Sequence, residues 1–180
     1  RDVERSRGLG DVYKRQDYNP AGRLPLTYYK SLDELPAFDD YDITKGRTYK
    51  YFKGDVLYPF GYGLSYSSFK YSDLKVKDGA NTVSVSFRLK NTGKRKGDEV
   101  AQVYVRIPET GGVVPIKELK GFRRIPLKSG ESRVVEIELD KEQLRYWDAG
   151  LGRFIVPQGA FDIMVGASSK DIRLQTVINL

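Results

Sequence analysis

The stretch Thr82–Lys90, TVSVSFRLK, alternates without a break. Val83, Val85, Phe87 and Leu89 fall on one side, and Thr82, Ser84, Ser86 and Arg88 on the other. Successive side chains leave a pleated strand on opposite faces, so a period of two predicts a strand with one buried and one wetted face. The pattern recurs down the chain. In EVAQVYVRI (99–107) the buried set is Ala101, Val103, Val105 and Ile107, and in SRVVEIEL (132–139) it is Val135, Ile137 and Leu139. AFDIMVG (160–166) presents Phe161, Ile163 and Val165, and DIRLQTVINL (171–180) presents Ile172, Leu174 and Ile178. FKYSDLKVK (69–77) and IKELKGFRRIPL (116–127) read as weaker strands, and KEQLRYWD (141–148) as a helical turn. Turn-forming clusters such as Asn91-Thr92-Gly93, Lys128-Ser129-Gly130 and Pro157-Gln158-Gly159 separate the runs. Seven one-faced strands in about 110 residues predict an all-β, two-sheet antiparallel sandwich. Phe122 and Trp147 are candidate large core or rim residues.

The 180-residue chain holds no Cys and no His, so thiolate chemistry, disulfides, imidazole bases and the commonest metal ligands are excluded. No cofactor or metal is expected, because no Asp/Glu spacing matches a calcium loop and no glycine-rich phosphate loop precedes a helix. The net charge of +7 comes from 31 basic residues interspersed with 24 acidic ones. Its densest clusters, Lys94-Arg95-Lys96 and Arg123-Arg124, are short, which reads as a solvated basic surface rather than a nucleic-acid footprint. No apolar run approaches the roughly 20 residues of a membrane span.

Upstream of the strands the pattern changes. Residue 1 is Arg and the only Met is Met164, and residues 1–16 are dense in charge without an apolar period. The piece GLGDVYKRQ resembles a translated sequencing-adapter leader, and residues 1–16 are read as non-native. Residues 17–68 are aromatic, polar and poor in aliphatic side chains, with an acidic loop, DELPAFDDYD (33–42), in their middle. They end in YPFGYGLSYSSF (58–69), where Pro59 restricts Tyr58 to an extended conformation and two glycines permit close backbone approach.

Taken in order, NPAGRLPLTYYKS (19–31), GRTYKYF (46–52), LYPFGYGLSYSSF (57–69), VSVSFRLKNTGKRKGDEVAQVYV (83–105), PIKELKGFRRIPLKSGESRVVEIEL (115–139) and QLRYWD (143–148) resemble the C-terminal region of family 3 glycoside hydrolases. GRTYKYF ahead of YPFGYGLSY is most similar to the β-xylosidase branch, with the β-glucosidases as near relatives. The resemblance implies that residues 69–180 form an immunoglobulin/fibronectin type III-like sandwich. It implies that 17–68 are the end of the family's middle α/β sandwich domain together with a junction loop. The chain would be the accessory part of a retaining β-glycosidase in plant polysaccharide catabolism, secreted or periplasmic. Its partners would be an N-terminal barrel and α/β domain of the same polypeptide, and the whole enzyme's substrate a β-linked oligosaccharide.

Retaining hydrolysis needs two carboxyl groups about 5–5.5 Å apart. In the family, the nucleophile is an Asp in a Ser-Asp-Trp setting on the barrel, and the acid/base is a Glu in the middle domain. The only Trp here, Trp147, follows Arg145-Tyr146, and the region matching the middle domain's Glu lies upstream of residue 17. No residue therefore inherits a catalytic role. Asp33, Glu34, Asp39, Asp40 and Asp42 read as solvated loop carboxylates, and Asp98, Glu99 and Glu131 as strand-edge ones. The site expected from sequence is a domain interface formed by Arg47, Tyr49, Tyr51, Tyr58, Phe60, Tyr62 and Tyr66, with Phe60, Tyr62 and Tyr66 as a clamp. The alternative is a stand-alone carbohydrate-binding or adhesive sandwich, for which Tyr104 is the clearest exposed ring on a strand face.

Overall fold

The computed structural model describes residues 18–180; the expected leader, 1–16, lies outside them. Two short tail strands, β1 (Tyr28–Tyr29) and β2 (Val56–Tyr58), pair antiparallel with each other. Between them come a 3-10 turn at Ile43–Lys45 and a single helical turn at Thr48–Tyr51. Seven longer strands follow: β3 (Phe69–Asp78), β4 (Thr82–Asn91), β5 (Gly97–Arg106), β6 (Glu118–Leu127), β7 (Ser132–Asp140), β10 (Ala160–Gly166) and β11 (Ile172–Asn179). A small hairpin, β8 (Tyr146–Asp148) with β9 (Arg153–Ile155), stands between β7 and β10.

One sheet has the order β3-β4-β7 and the other β11-β10-β5-β6, every pairing antiparallel. The chain changes sheet between β4 and β5, between β6 and β7, and between β7 and β10, so residues distant in sequence meet in one core. The strands expected from alternation all form. Val83, Val85, Phe87 and Leu89 of β4 are buried and face Ala101, Val103 and Val105 of β5, with Phe161, Ile163 and Val165 of β10 in the same cluster. Each fully buried Val, Leu, Ile or Phe stabilises the fold by about 1.5–3 kcal/mol, so packing can hold the sandwich without a cross-link. Asn91 closes one end: its buried amide donates to Arg95 O (2.8 Å) and Leu127 O (3.2 Å), and its Oδ1 accepts from the Gly93 amide (2.9 Å).

The structure corrects several expectations. Residues 141–148 form a 3-10 turn only through Leu144, after which the chain extends into β8. Of the two places expected for Trp147 and Phe122, core or rim, the core is excluded: both are exposed. Trp147 packs edge-on against Phe154, directly across the hairpin, with 5.2 Å between ring centres. Glu99 is no solvated edge residue but is buried on the core side of β5. Tyr104, the ring proposed for an exposed sugar platform, is fully buried.

Candidate functional site

The tail covers the outer face of β5, and this explains why β5 is buried on both sides. A lone sandwich strand would leave Gln102 and Tyr104 wet, since they point away from Ala101 and Val103. Instead Tyr49 stands edge-on to Tyr104 (5.9 Å, 76°) and stacks flat on Phe60 (4.2 Å, 15°). Offset-stacked and edge-on contacts of this kind add about 0.5–1.5 kcal/mol to what area burial contributes. The buried polar atoms are matched in a chain. Tyr104 OH donates to Gln102 Oε1 (2.6 Å), while Gln102 Nε2 donates to Gly61 O (3.0 Å) and Ala167 O (2.7 Å).

Gly61 makes this approach possible. Its φ is +79°, and a Cβ there would lie 2.0 Å from Gln102 Oε1, so no other residue could occupy the position without displacing the amide. The same loop is tied to the start of the tail, with the Leu24 amide donating to Tyr62 O and the Gly61 amide to Leu24 O, each at 2.8 Å.

A second anchor lies one helical turn away. Thr48 adopts φ +59°, a strained setting for a β-branched residue, and is held there by its amide donating to Tyr29 OH (2.7 Å). The turn it opens sends Tyr49 and Lys50 onto β6. The Leu119 amide donates to Tyr49 OH (3.0 Å), and Lys50 pairs with Glu118 (2.5 Å), which also receives Lys120 (2.9 Å). Burial opposes ionisation of Glu118, but the hydrogen bonds from the two lysines outweigh it and hold the carboxyl below its usual value. A third anchor is buried: Arg23 reaches Glu99 Oε1 (3.2 Å), which also accepts from Tyr71 OH (3.1 Å), while the Arg173 guanidinium lies over the Tyr71 ring at 5.1 Å.

The seven residues expected at an interface divide into groups. Tyr49 and Phe60 are joined on Tyr104. Arg47 turns back on its own loop, donating to Pro36 O (3.2 Å) and Ala37 O (2.6 Å). Tyr51 is half-buried, and burial followed by the Glu118 charge raises its phenol. Tyr58, Tyr62 and Tyr66 instead ring an open groove of about 1040 Å³ on the tail, together with Tyr18, Tyr28 and Leu64. Tyr58 meets Tyr62 at 5.3 Å and Tyr28 at 6.2 Å, yet Tyr66 and Leu64 stay well exposed. Sequence reading missed the partners of this tail, Gln102 and Glu99; the signal available was a Glu at a position in register with the apolar face of β5, and a Gln between Ala101 and Val103.

The loop carboxylates serve local structure. Asp42 caps the 3-10 turn through the Thr44 amide, and Asp40 pairs with Lys45 (2.7 Å). Among the described residues, no group of three Asp or Glu could hold a metal ion.

Residues 99–169 match the fibronectin type III-like domain family. The sandwich has the fibronectin type III-like fold. Around it the similarity runs along nearly the whole of this chain, to one part of each of several longer enzymes. The chain is 41% identical over 167 residues to a xylan 1,4-beta-xylosidase of Xylanibacter ruminicola, covering 89% of this chain and 19% of the relative. It is 35% identical to a periplasmic beta-glucosidase of Salmonella typhimurium, covering 87% and 21%. The solved GH3 beta-glucosidase of Bifidobacterium adolescentis superimposes with a TM-score of 0.83 at 32% identity, over 92% of this chain and 26% of that one. The fibronectin type III-like domain and its tail therefore correspond to the C-terminal part of family 3 β-glucosidases and β-xylosidases. The chain spans about a fifth of the length of these curated relatives.

Proposed function

We propose that the chain is the accessory C-terminal part of a retaining β-glycosidase acting on β-xylosides or β-glucosides, and that it braces the catalytic domains without cutting bonds itself. In this reading residues 69–180 are the fibronectin type III-like domain, and 17–68 are the end of a preceding α/β domain with its junction loop. The observation that carries the bracing role is the two-sided tail. One side is fixed on the sandwich through Tyr49, Phe60 and Gln102. The other side presents the groove of Tyr58, Tyr62 and Tyr66, a surface suited to the body of the α/β domain. The names of the relatives support the glycosidase setting and leave the choice between xylose and glucose open. The periplasmic relative supports an extracytoplasmic place of work.

Two measurements test this. The purified chain, incubated with aryl β-xylosides and β-glucosides, is expected to release no more phenol than a heat-inactivated control; turnover above it overturns the bracing role. The coding sequence upstream is expected to continue into a barrel with a Ser-Asp-Trp motif, and an unrelated upstream frame overturns the glycosidase setting.

A further inference from the structure

A separate cavity of about 310 Å³ lies between the tail, the segment that leads into β6 (Ile116 and Lys117) and the β10–β11 turn (Ser169 and Lys170). Its apolar wall includes Tyr49, Phe52 and Ile116, and its polar groups include Lys53, Lys117, Lys170 and the Thr27 hydroxyl. The charges are unbalanced. Lys117 donates to Ser169 O (2.9 Å) and has no carboxylate within ion-pair distance among the described residues. Lys53 makes no ion pair or hydrogen bond among them. Among the described residues Lys170 reaches only Asp55, at 3.8 Å, and that exposed carboxylate is shared with Lys30 at 3.5 Å. Burial, followed by the charge of Lys170, pushes the Lys117 ammonium down, so two like charges are held together at a cost. Thr27 Oγ1 is buried in this wall with no hydrogen-bond partner, although buried hydroxyls are nearly always paired.

Each irregularity is relieved by the same ligand chemistry. An oxyanion would neutralise the lysines and accept from Thr27, as ammonium groups and hydroxyls commonly do for carboxylate and phosphate. The aromatic and aliphatic wall asks for an apolar face on the same molecule. The volume is at the lower end of the range for small-molecule sites, about 300–1,000 Å³, and suits a single ring.

We propose that this cavity is a subsite for an acidic sugar, a hexuronate. Its carboxylate is held by Lys53, Lys117 and Lys170, and its ring lies along the Tyr49–Phe52 wall. The choice of a sugar acid over a simple anion rests on the glycosidase reading; the anion site itself does not.

Calorimetric titration of the chain at low ionic strength with glucuronate, glucose and inorganic phosphate tests it. The expected result is one saturable site for glucuronate, none for glucose, and weaker binding of phosphate. Lys53→Glu, at an exposed residue that nothing else in the fold uses, is expected to weaken glucuronate by about tenfold or more with an unchanged melting temperature. Lys117→Met is expected to abolish binding. Phosphate binding as tight as glucuronate overturns the sugar assignment. No saturable glucuronate binding, or unaltered affinity in Lys53→Glu, overturns the site. Neither result bears on turnover of neutral aryl glycosides or on the upstream frame, so this inference and the glycosidase reading fail independently.

Discussion

Gln102 is the residue on which tail and sandwich meet. It accepts from Tyr104 and donates to the carbonyls of Gly61 and Ala167, so truncation leaves three buried polar groups without their partner. Gln102→Ala is expected to cost about 2–3 kcal/mol in urea unfolding, whereas Tyr104→Phe, which removes one donor, costs about 1 kcal/mol. Gly61→Ala meets the same amide from the other side and is expected to lose more than about 1 kcal/mol, because its positive φ and the contact with Gln102 penalise a side chain together. Glu118 gives the tail an acid sensitivity. A carboxyl held below its usual value stabilises the fold above about pH 4.5, and that contribution is lost as pH falls through the lower value of the folded state. Amide exchange in residues 48–52 is therefore expected to accelerate below pH 4.5 well before exchange in β4. Glu118→Gln should remove that pH dependence, and an unchanged acid profile in the variant would contradict it.

At the scale of elements, strands and tail differ in what holds them. β4 and β5 lie inside sheets, bonded on both edges and packed against the opposite sheet, whereas β1 and β2 pair only with each other. Hydrogen exchange at neutral pH is expected to be slower by orders of magnitude in 82–107 than in 28–58, and equal protection would count against this account. The contrast also explains what was legible in the sequence. Val83, Val85, Phe87 and Leu89 announce β4 because each alternate position has the same fate. Tyr104 and Gln102 could not be read the same way: they occupy positions that look like a wetted face, and the residues that cover them, Tyr49 and Gly61, lie more than 40 positions upstream. The β8–β9 hairpin was hidden for another reason. Three-residue strands joined through Gly150 and Gly152 carry no measurable period, and the register Tyr146↔Ile155, Trp147↔Phe154 emerges only on pairing. The tail's aromatic residues stand out in the sequence as one set, but their division into a group turned to the sandwich and a group turned to the groove does not, since it depends on which way a loop bends.

For the whole molecule, the groove is the feature with the largest reach. Tyr58, Leu64 and Tyr66 leave much of their apolar surface in water, and a patch of this kind promotes association when nothing covers it. Sedimentation velocity over a range of concentrations is expected to show reversible self-association. Leu64→Lys with Tyr66→Lys should suppress it without changing the urea midpoint, since neither side chain contributes to the core; a fully monomeric parent chain would refute the expectation. The position of Trp147 has a consequence of a different kind. The only indole in the chain rides on a surface hairpin beside Phe154, apart from the cluster that makes the protein cohere. Its emission should already be red-shifted in the native protein and should change little when the two sheets separate. An optical melting curve recorded at that chromophore would register the fraying of one small hairpin, and the buried tyrosines 71 and 104, through their near-ultraviolet dichroism, are the faithful witnesses of the global transition.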